Sequence, residues 1–407
     1  MSSPDTFKND LPCIRNITDP DSGLTGWLAI DSVINNHCSG GLRMQSDISA
    51  VELAQLARIM TLKFGFLGIP HGGAKAGIVC EENENESKKI QLLSAFGSII
   101  REILDSRFYS PWPDLGTSGK DICTVMQSTG LPGYKRTLQK NSSGYYTSLT
   151  VLESLKTAAS HLGFDLTGST AAIEGLGKVG APVMTGLSRL GIKVIAVSTS
   201  KGALYSERGL DNNELMKCLT QHKSHLVEYY KNADKISKES LFDLDVDILI
   251  PCAKHHSIND QNVSGIKARI ICPGANIPIT DDAADILIQH GILCIPDFIS
   301  NCGGVLGGTM EFAGLSRTII EQFIGTHFSK QVHNLVISCK NSKSLRLAAE
   351  EIAMMRFNRI KAIAEKKSAV NKALELALEL FRNGLIPRAL VRPLAYRYFC
   401  SRIQGAD

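Results

Sequence analysis

Between residues 170 and 296 the chain keeps returning to one pattern, a short apolar run followed by a stretch with helical spacing. The runs are TAAIE (170–174), KVIAV (193–197), VDILI (246–250), ARIIC (268–272) and ILCIP (292–296), and segments such as DDAADILIQHG lie between them. A strand that is apolar throughout is buried on both faces, and strands joined through helices run parallel. This region is therefore expected to form a doubly wound α/β domain. A length of 407 residues leaves room for a second domain of ordinary size. We expect a mixed α/β domain over residues 1–145, the doubly wound domain over 146–330, and C-terminal helices over 331–407 packing at the domain junction.

The first run leads into AAIEGLGKVGAPV, where Gly175, Gly177 and Gly180 stand in G-x-G-x-x-G spacing. Three glycines alone are weak evidence and are also compatible with a glycine-rich packing turn. Here a strand precedes them and a helix with Pro182 in its first turn follows, which would aim backbone N–H groups at a pyrophosphate. The next strand, KVIAV, runs into STSKG, so Ser198, Thr199, Ser200 and Lys201 occupy the corner where an acidic residue would hold the ribose hydroxyls of NAD. Hydroxyls beside a lysine suit a 2′-phosphate. The corner leans towards NADP or dual use, although Lys201 as a solvated loop residue with NAD bound remains compatible with the same residues.

In the first domain, residues 49–62 (SAVELAQLARIMTL) open with a Ser49/Glu52 capping box and repeat apolar residues at Leu53, Leu56 and Met60. This predicts one amphipathic helix, broken by Gly65. Just beyond it, PHGGAKAGI puts Lys75 among glycines and apolar residues, with Lys63 upstream and Asp114 downstream in SPWPDLGTSG. A lysine in an apolar cleft near another cation has a lowered pKa and can move protons near neutral pH, whereas a charged one can clamp a carboxylate. Gly72 and Gly73 would let the backbone approach a ligand. By spacing alone, lysines at the surface beside a turn are the commoner reading.

Taken together, DPDSGLTGWLAIDSVINNHCSGGLRM, MTLK, PHGGAKAGI, PWPDLGT, EGLGKVG, DILIPCA, IKARIICPGANIPIT and PDFISNCGGV resemble the glutamate/leucine/phenylalanine/valine dehydrogenase family in its order and spacing. The wording of the N-terminal region is closer to the leucine/phenylalanine/valine branch. The resemblance implies a substrate and oligomerisation domain, a Rossmann-like NAD(P)-binding domain and a cleft that closes between them. It also implies NAD(P)-dependent deamination of an L-amino acid to a 2-oxo acid and ammonia. By resemblance Lys63 binds the substrate carboxylate, Lys75 and Asp114 are catalytic, and Gly40 and Gly41 line the substrate cleft. Thr147 lies at the nicotinamide carboxamide, Asn276 near the nicotinamide ribose, and Asn301 faces the cleft. Lys178, Val179 and Ala253 join the glycines, Thr199 and Lys201 at the cofactor.

Some pocket residues depart from the family. Ser39 stands where glutamate enzymes carry a lysine for the side-chain carboxylate, and Gly308 where they carry a serine. Losing both partners should cost glutamate several kcal/mol of binding, on the order of the penalty for an unpaired buried carboxylate, which disfavours it. Trp112 is bulky where the family keeps a small residue, and it is expected either to select the substrate or to pack in the core. Tyr146 and Ser148 flank Thr147 in place of more typical neighbours. These departures also leave open a catalytically weak paralogue that binds nucleotide as a regulatory or structural subunit.

Composition excludes other classes. A formal charge of +4 with no basic stripe offers nothing for nucleic acid. The polar opening MSSPDTFKND and the absence of a long apolar run argue against a signal peptide or membrane span, so a cytoplasmic protein is expected. Eleven scattered cysteines without a C-x-x-C pair fit reduced thiols rather than disulfides or zinc. His71, the adjacent His255 and His256, Cys252, Cys302 and Arg43 read as positional or structural. The expected partners are an amino acid or 2-oxo acid, ammonia and further copies of the chain, with no metal.

Overall fold

The computed structural model describes residues 11–81, 83–128, 142–339, 344–366, 368, 373, 376–378, 380–381 and 384–403. The chain divides into two compact units. The first is drawn from residues up to Asn141, Phe312–Gly314 and residues from Ile352 on, and the second from Ser142–Glu311 and Leu315–Glu351.

The first unit is built on a five-stranded mixed sheet of β1 (Cys13–Asp19), β2 (Leu24–Ile30), β3 (Cys38–Gln45), β4 (Gly72–Val79) and β5 (Tyr109–Pro113), in the order β1-β2-β4-β3-β5. β1 and β2 form an antiparallel pair, β4 is antiparallel to β2, and β3 lies parallel to both β4 and β5. Side chains alternate across the sheet. On one face Cys38, Leu42, Met44, Ala74, Ala76 and Ile78 join Leu93, Phe96 and Ile122 in an apolar core. On the other face Gly73 and Gly77 lie against helix α1 (Ala50–Leu67).

The α1 helix starts where the capping residues predicted, with the Ser49 hydroxyl accepting the Glu52 N–H. It does not break at Gly65. The helix continues to Leu67 and ends on Gly68 in the left-handed conformation, φ 74°, as a C-terminal cap. Gly65 serves packing instead: a Cβ there would fall 2.2 Å from the carbonyl oxygen of Ala353. Gly72 and Gly73 are likewise consumed by the protein's own backbone. Their absent Cβ atoms would meet the Ser32 carbonyl at 2.1 Å and the Thr61 N–H nitrogen at 2.4 Å, so the closeness expected towards a ligand is closeness to a loop and to α1.

The second unit is the expected doubly wound α/β layer. Its sheet runs β12-β11-β10-β6-β7-β8-β9, from β6 (Thr170–Glu174), β7 (Lys193–Thr199), β8 (Gly202–Tyr205), β9 (Asp234–Ile236), β10 (Ile248–Pro251), β11 (Ile270–Ile271) and β12 (Leu293–Cys294). The five strands from β12 to β7 are parallel, and β8 and β9 add an antiparallel edge. All five predicted apolar runs are strands here. The predicted helix DDAADILIQ runs from Asp281 to Gln289 with Thr280 as its cap. Helix α2 (Ser143–His161) opens the unit, α3 (Gly180–Arg189) follows the glycine loop, and α4 (Gly303–Phe312) carries Gly308.

Beyond residue 310 the chain is mostly helical, including α5 (Leu345–Ala364) and α6 (Arg388–Ile403). The helix expected over 369–384 falls largely outside the described residues. Among the described residues no helix is long and apolar enough to cross a membrane.

Candidate active site

In the first unit, strand alternation gathers the polar residues onto the α1 face. Gly41 and Arg43 of β3 and Lys75 of β4 point the same way, and Asp114 follows directly after β5. The loop holding Asp114 is tightly specified. Its N–H donates to Thr117 Oγ1 at 2.8 Å, and Thr117 donates to the Leu42 carbonyl at 2.7 Å. Gly116, at φ 77°, lies against the Met44 carbonyl, where a Cβ would come within 1.9 Å.

Lys75 and Asp114 form an ion pair, with Nζ 2.6 Å from Oδ2. Lys75 is 4% exposed, a burial the chain can sustain only with such a partner. Gly41 makes the meeting possible: a Cβ at that position would be 2.8 Å from Asp114 Cβ and 3.2 Å from Lys75 Nζ. Gly40 has a different task. Its Cβ would overlap the Ala74 carbonyl, so it permits the close approach of β3 to β4.

Burial pushes the Lys75 ammonium below the ordinary lysine range; Asp114 opposes that and Arg43 adds to it. Burial alone would raise the Asp114 carboxyl, but Lys75 and Arg43 overcome it and hold the group well below the usual carboxylate range. The pair is thus an ionised carboxylate beside an ammonium that burial makes more acidic than an ordinary lysine. Lys63 lies on the last turns of α1, 5% exposed.

Trp112 and Ser39 are also brought together. Trp112 Nε1 donates to Ser39 Oγ at 2.9 Å, and Ser39 Oγ donates to the Ser110 carbonyl at 3.1 Å. The indole is half-buried. It engages the hydroxyl of the pocket position singled out in the sequence.

In the second unit the three glycines of the loop do three separate jobs. Gly175 sits at φ 91°, and a Cβ would be 2.7 Å from Ala253 Cβ. Gly180 packs against the loop, where a Cβ would be 2.0 Å from the Gly175 carbonyl. A Cβ on Gly177 would meet nothing within 4 Å. Tight turn, close packing and an open approach are what a pyrophosphate site requires of these positions. Lys178 and Val179 complete the turn into α3, with Val179 at its cap.

The ribose corner is more committed than its sequence suggested. Ser198 Oγ accepts the Gly175 N–H at 3.0 Å and so braces the glycine loop. Thr199 Oγ1 donates to the Ser224 carbonyl at 2.7 Å and accepts the Lys201 N–H at 3.1 Å. Its hydroxyl orders the turn, leaving Ser200 and Lys201 exposed.

Asn301 Nδ2 donates to the Ala275 carbonyl at 2.8 Å and to Asn276 Oδ1 at 2.9 Å. Asn301 Oδ1 is buried with no partner among the described residues, an acceptor of the kind a ligand donor satisfies. Thr147 Oγ1 donates to the Ser143 carbonyl at 2.9 Å within α2. Its unusual neighbours have structural explanations. Tyr146 is fully buried, its hydroxyl donating to Glu311 at 2.6 Å, and its ring occupies the space that Gly307 leaves. Ser148 donates to the Tyr145 carbonyl at 2.7 Å. A Cβ on Gly308 would stand in open space.

Arg43, read in the sequence as structural, gains its partners only here, and Glu174 is not singled out by the sequence. Arg43 bridges Asp114 and Glu52, through Nε at 3.1 Å and Nη1 at 2.6 Å. Its parity with Gly41 on β3 was the available signal. Glu174, at the end of β6, is 8% exposed and accepts the Ser257 hydroxyl at 3.0 Å. Burial pushes its carboxyl up to about 7 against the opposing bonds of Ser257, Ala253 and Lys254.

Models of known families match both halves of the chain: "Glu/Leu/Phe/Val dehydrogenase, dimerisation domain" over residues 14–130 and "Glutamate/Leucine/Phenylalanine/Valine dehydrogenase" over residues 141–367. The chain belongs to this family, and with it to the NAD(P)-dependent amino acid dehydrogenases, oxidoreductases acting on a CH–NH2 donor. Similar proteins include an NADP-specific glutamate dehydrogenase of Saccharolobus shibatae, 32% identical over 300 residues covering 71% of this chain and 70% of that one. An NAD-specific glutamate dehydrogenase of Staphylococcus aureus is 31% identical over 300 residues, covering 71% and 72%. Among solved structures, a hetero-hexameric glutamate dehydrogenase from Thermus thermophilus superposes with a TM-score of 0.74 at 22% identity, covering 88% of this chain and 89% of that one. L-tryptophan dehydrogenase from Nostoc punctiforme gives 0.60 at 24%, covering 86% and 96%. These structures establish the shared fold. The expected lean to the leucine/phenylalanine/valine branch gains no support from the curated relatives, which are glutamate dehydrogenases.

Proposed function

We propose that the chain catalyses oxidative deamination of an L-amino acid other than glutamate, and the reverse reductive amination, with NAD or NADP. The observation that carries this reading is the buried Lys75/Asp114 pair, 2.6 Å apart on the sheet face that also bears Gly41. Lys63 holds the substrate carboxylate as a charge-assisted contact. Asp114, kept ionised, takes a proton from the substrate nitrogen and returns it. Lys75, whose ammonium burial pushes below the ordinary lysine range, assists a water that attacks the imine carbon; the carbinolamine then collapses to the 2-oxo acid and ammonia.

When bound, the nicotinamide accepts the hydride from the substrate α-carbon. Gly175, Gly177, Lys178, Val179 and Gly180 would hold its pyrophosphate, with Ala253 beneath the turn. Thr147, Asn276 and Asn301 would face the nicotinamide end, and the unpartnered Asn301 Oδ1 is suited to a ribose or amide donor. The exposed Lys201, on a turn ordered by Thr199 and free of carboxylates, supports acceptance of a 2′-phosphate.

Exclusion of glutamate is supported by Ser39, whose hydroxyl is engaged by the Trp112 indole, and by Gly308, which offers no side-chain donor. By analogy with the hetero-hexameric structural neighbour, the active species is an oligomer that contains this chain. The test is to follow reduced cofactor with NAD and NADP over a panel of L-amino acids and over 2-oxo acids with ammonia, using the wild type, Lys75→Ala and Lys201→Ala. Turnover lost at least a thousandfold in Lys75→Ala, with NADP but not NAD weakened in Lys201→Ala, is expected. Turnover that survives Lys75→Ala, or that is fastest with glutamate, would sink the reading.

A further inference from the structure

Arg43 is 6% exposed and Glu52 5%, so both charged side chains are buried. Their arrangement is directed at the catalytic pair. Arg43 Nε and Lys75 Nζ converge on the same oxygen, Asp114 Oδ2, at 3.1 and 2.6 Å, while Arg43 Nη1 is tied back to Glu52 Oε1 at 2.6 Å. The rigid guanidinium fork therefore locks Asp114 in one rotamer from β3, and α1 locks the fork.

Resting on the dehydrogenase reading of this site, we propose that Arg43 and Glu52 are positioning residues, a buried clamp that orients Asp114 towards Lys75 and supplies a balanced pair of fixed charges at the lysine. Arg43 remains a cation at every accessible pH, so the field it imposes on Lys75 is permanent. Glu52 partly cancels that field.

The charges on elements packed against β4 are Arg43 on β3, Asp114 beyond β5, Asp31 just beyond β2, and Glu52, Arg58 and Lys63 on α1. Arg58 is largely exposed and turned to Asp31 at 3.7 Å. Beyond burial itself, the influences acting on Lys75 are Asp114, Arg43 and Glu52, the first and last favouring its charged form and Arg43 disfavouring it. Opposite consequences follow for two variants. Arg43→Gln removes a neighbouring cation and raises the pH at which Lys75 loses its proton. Glu52→Gln removes an anion and lowers it. Shifts on the order of one pH unit are expected from charges this close and this buried.

The experiment measures those shifts in two ways on the full chain. The acid limb of kcat/KM against pH reads the lysine in turnover. Trace labelling of Lys75 with acetic anhydride, quantified by peptide mass spectrometry across pH, reads the same amine without substrate or cofactor. Displacements of opposite sign for Arg43→Gln and Glu52→Gln are expected in both. Arg43→Lys, which keeps the charge but not the fork, should leave the limb near its wild-type position while kcat falls roughly tenfold or more. Glu52→Gln is isosteric and still accepts from Arg43, so it reads the field should Arg43→Gln fail to fold. Labelling curves that coincide with the wild type, or that move in the same direction in both variants, would overturn the proposal even if turnover is normal. Opposite labelling shifts in a protein that turns over no amino acid would uphold the clamp and overturn the dehydrogenase reading instead.

Discussion

At the scale of single residues the site depends on what is missing as much as on what is present. Lys75 and Asp114 meet only because Gly41 lacks a side chain. Gly41→Ala would put a methyl 2.8 Å from Asp114 Cβ and 3.2 Å from the ammonium, and overpacking of this kind costs about 1–3 kcal/mol. We expect kcat/KM to fall at least tenfold with only a few degrees lost in Tm, since the displaced atoms belong to the ion pair. Equal activity in the variant, or a loss of activity explained entirely by unfolding, would contradict this. Lys75 stands out in the sequence as a lysine among glycines and apolar residues, but Asp114 and Gly41 are assigned to its site only by the family resemblance. Arg43 reads as structural there, but its grip on Asp114 is not legible, because the direction of its side chain is known only once β3 is seen to face α1.

At the scale of the element, β6 ends in a carboxyl group that its position penalises. The Glu174 pKa is raised from an ordinary 4.5 to about 7 by burial. Between those values the folded chain holds a proton that the unfolded chain has lost, so stability falls as pH rises through about 4.5 to 7 and stays reduced above it. The penalty at pH 8 is on the order of 3 kcal/mol. Glu174→Gln, which cannot ionise, is expected to gain stability over the wild type at pH 8 and to lose that advantage at pH 4.5, as measured by denaturant unfolding of the second unit. A difference independent of pH would refute the assignment. The strands and the glycine turn of this unit were readable from apolar runs and spacing. The engagement of Ser198 by Gly175 and of Thr199 by Ser224 was not, because a hydroxyl at a strand end carries no mark in the sequence of whether it faces ligand or backbone.

At the scale of the whole molecule the chain returns to its beginning. Residues from Ile352 on belong to the first unit, and α6 closes on α1 there. The turn at Gly68 has no room for a Cβ because the Arg402 carbonyl would lie 2.5 Å away, and Arg356 Nη2 donates to the Arg402 and Ile403 carbonyls at 2.8 and 3.1 Å. Phe399 and Ile403 are buried at 4% and 1%, each contributing about 1.5–3 kcal/mol. Truncation before Arg388 should therefore lower the melting transition of the first unit by several degrees while cofactor affinity, proposed above for residues of the second unit, stays within about twofold. Calorimetry with a cofactor titration would check both, and an unchanged first-unit transition would count against the assignment.

What the sequence by itself determined was the periodic part: the parallel sheet from its fully apolar runs, the α1 helix from its cap and spacing, the tight glycine turn placed between strand and helix. Those features depend on neighbours a few residues apart, which is the range over which pattern and propensity act. Only the tertiary structure decided which glycine opens towards a ligand and which merely packs, that Trp112 engages Ser39, and that Arg43 and Glu52 lock Asp114. Each of these joins side chains from different strands or from a strand and a helix, and steric fit and charge balance between such segments are set by three-dimensional packing rather than by order along the chain.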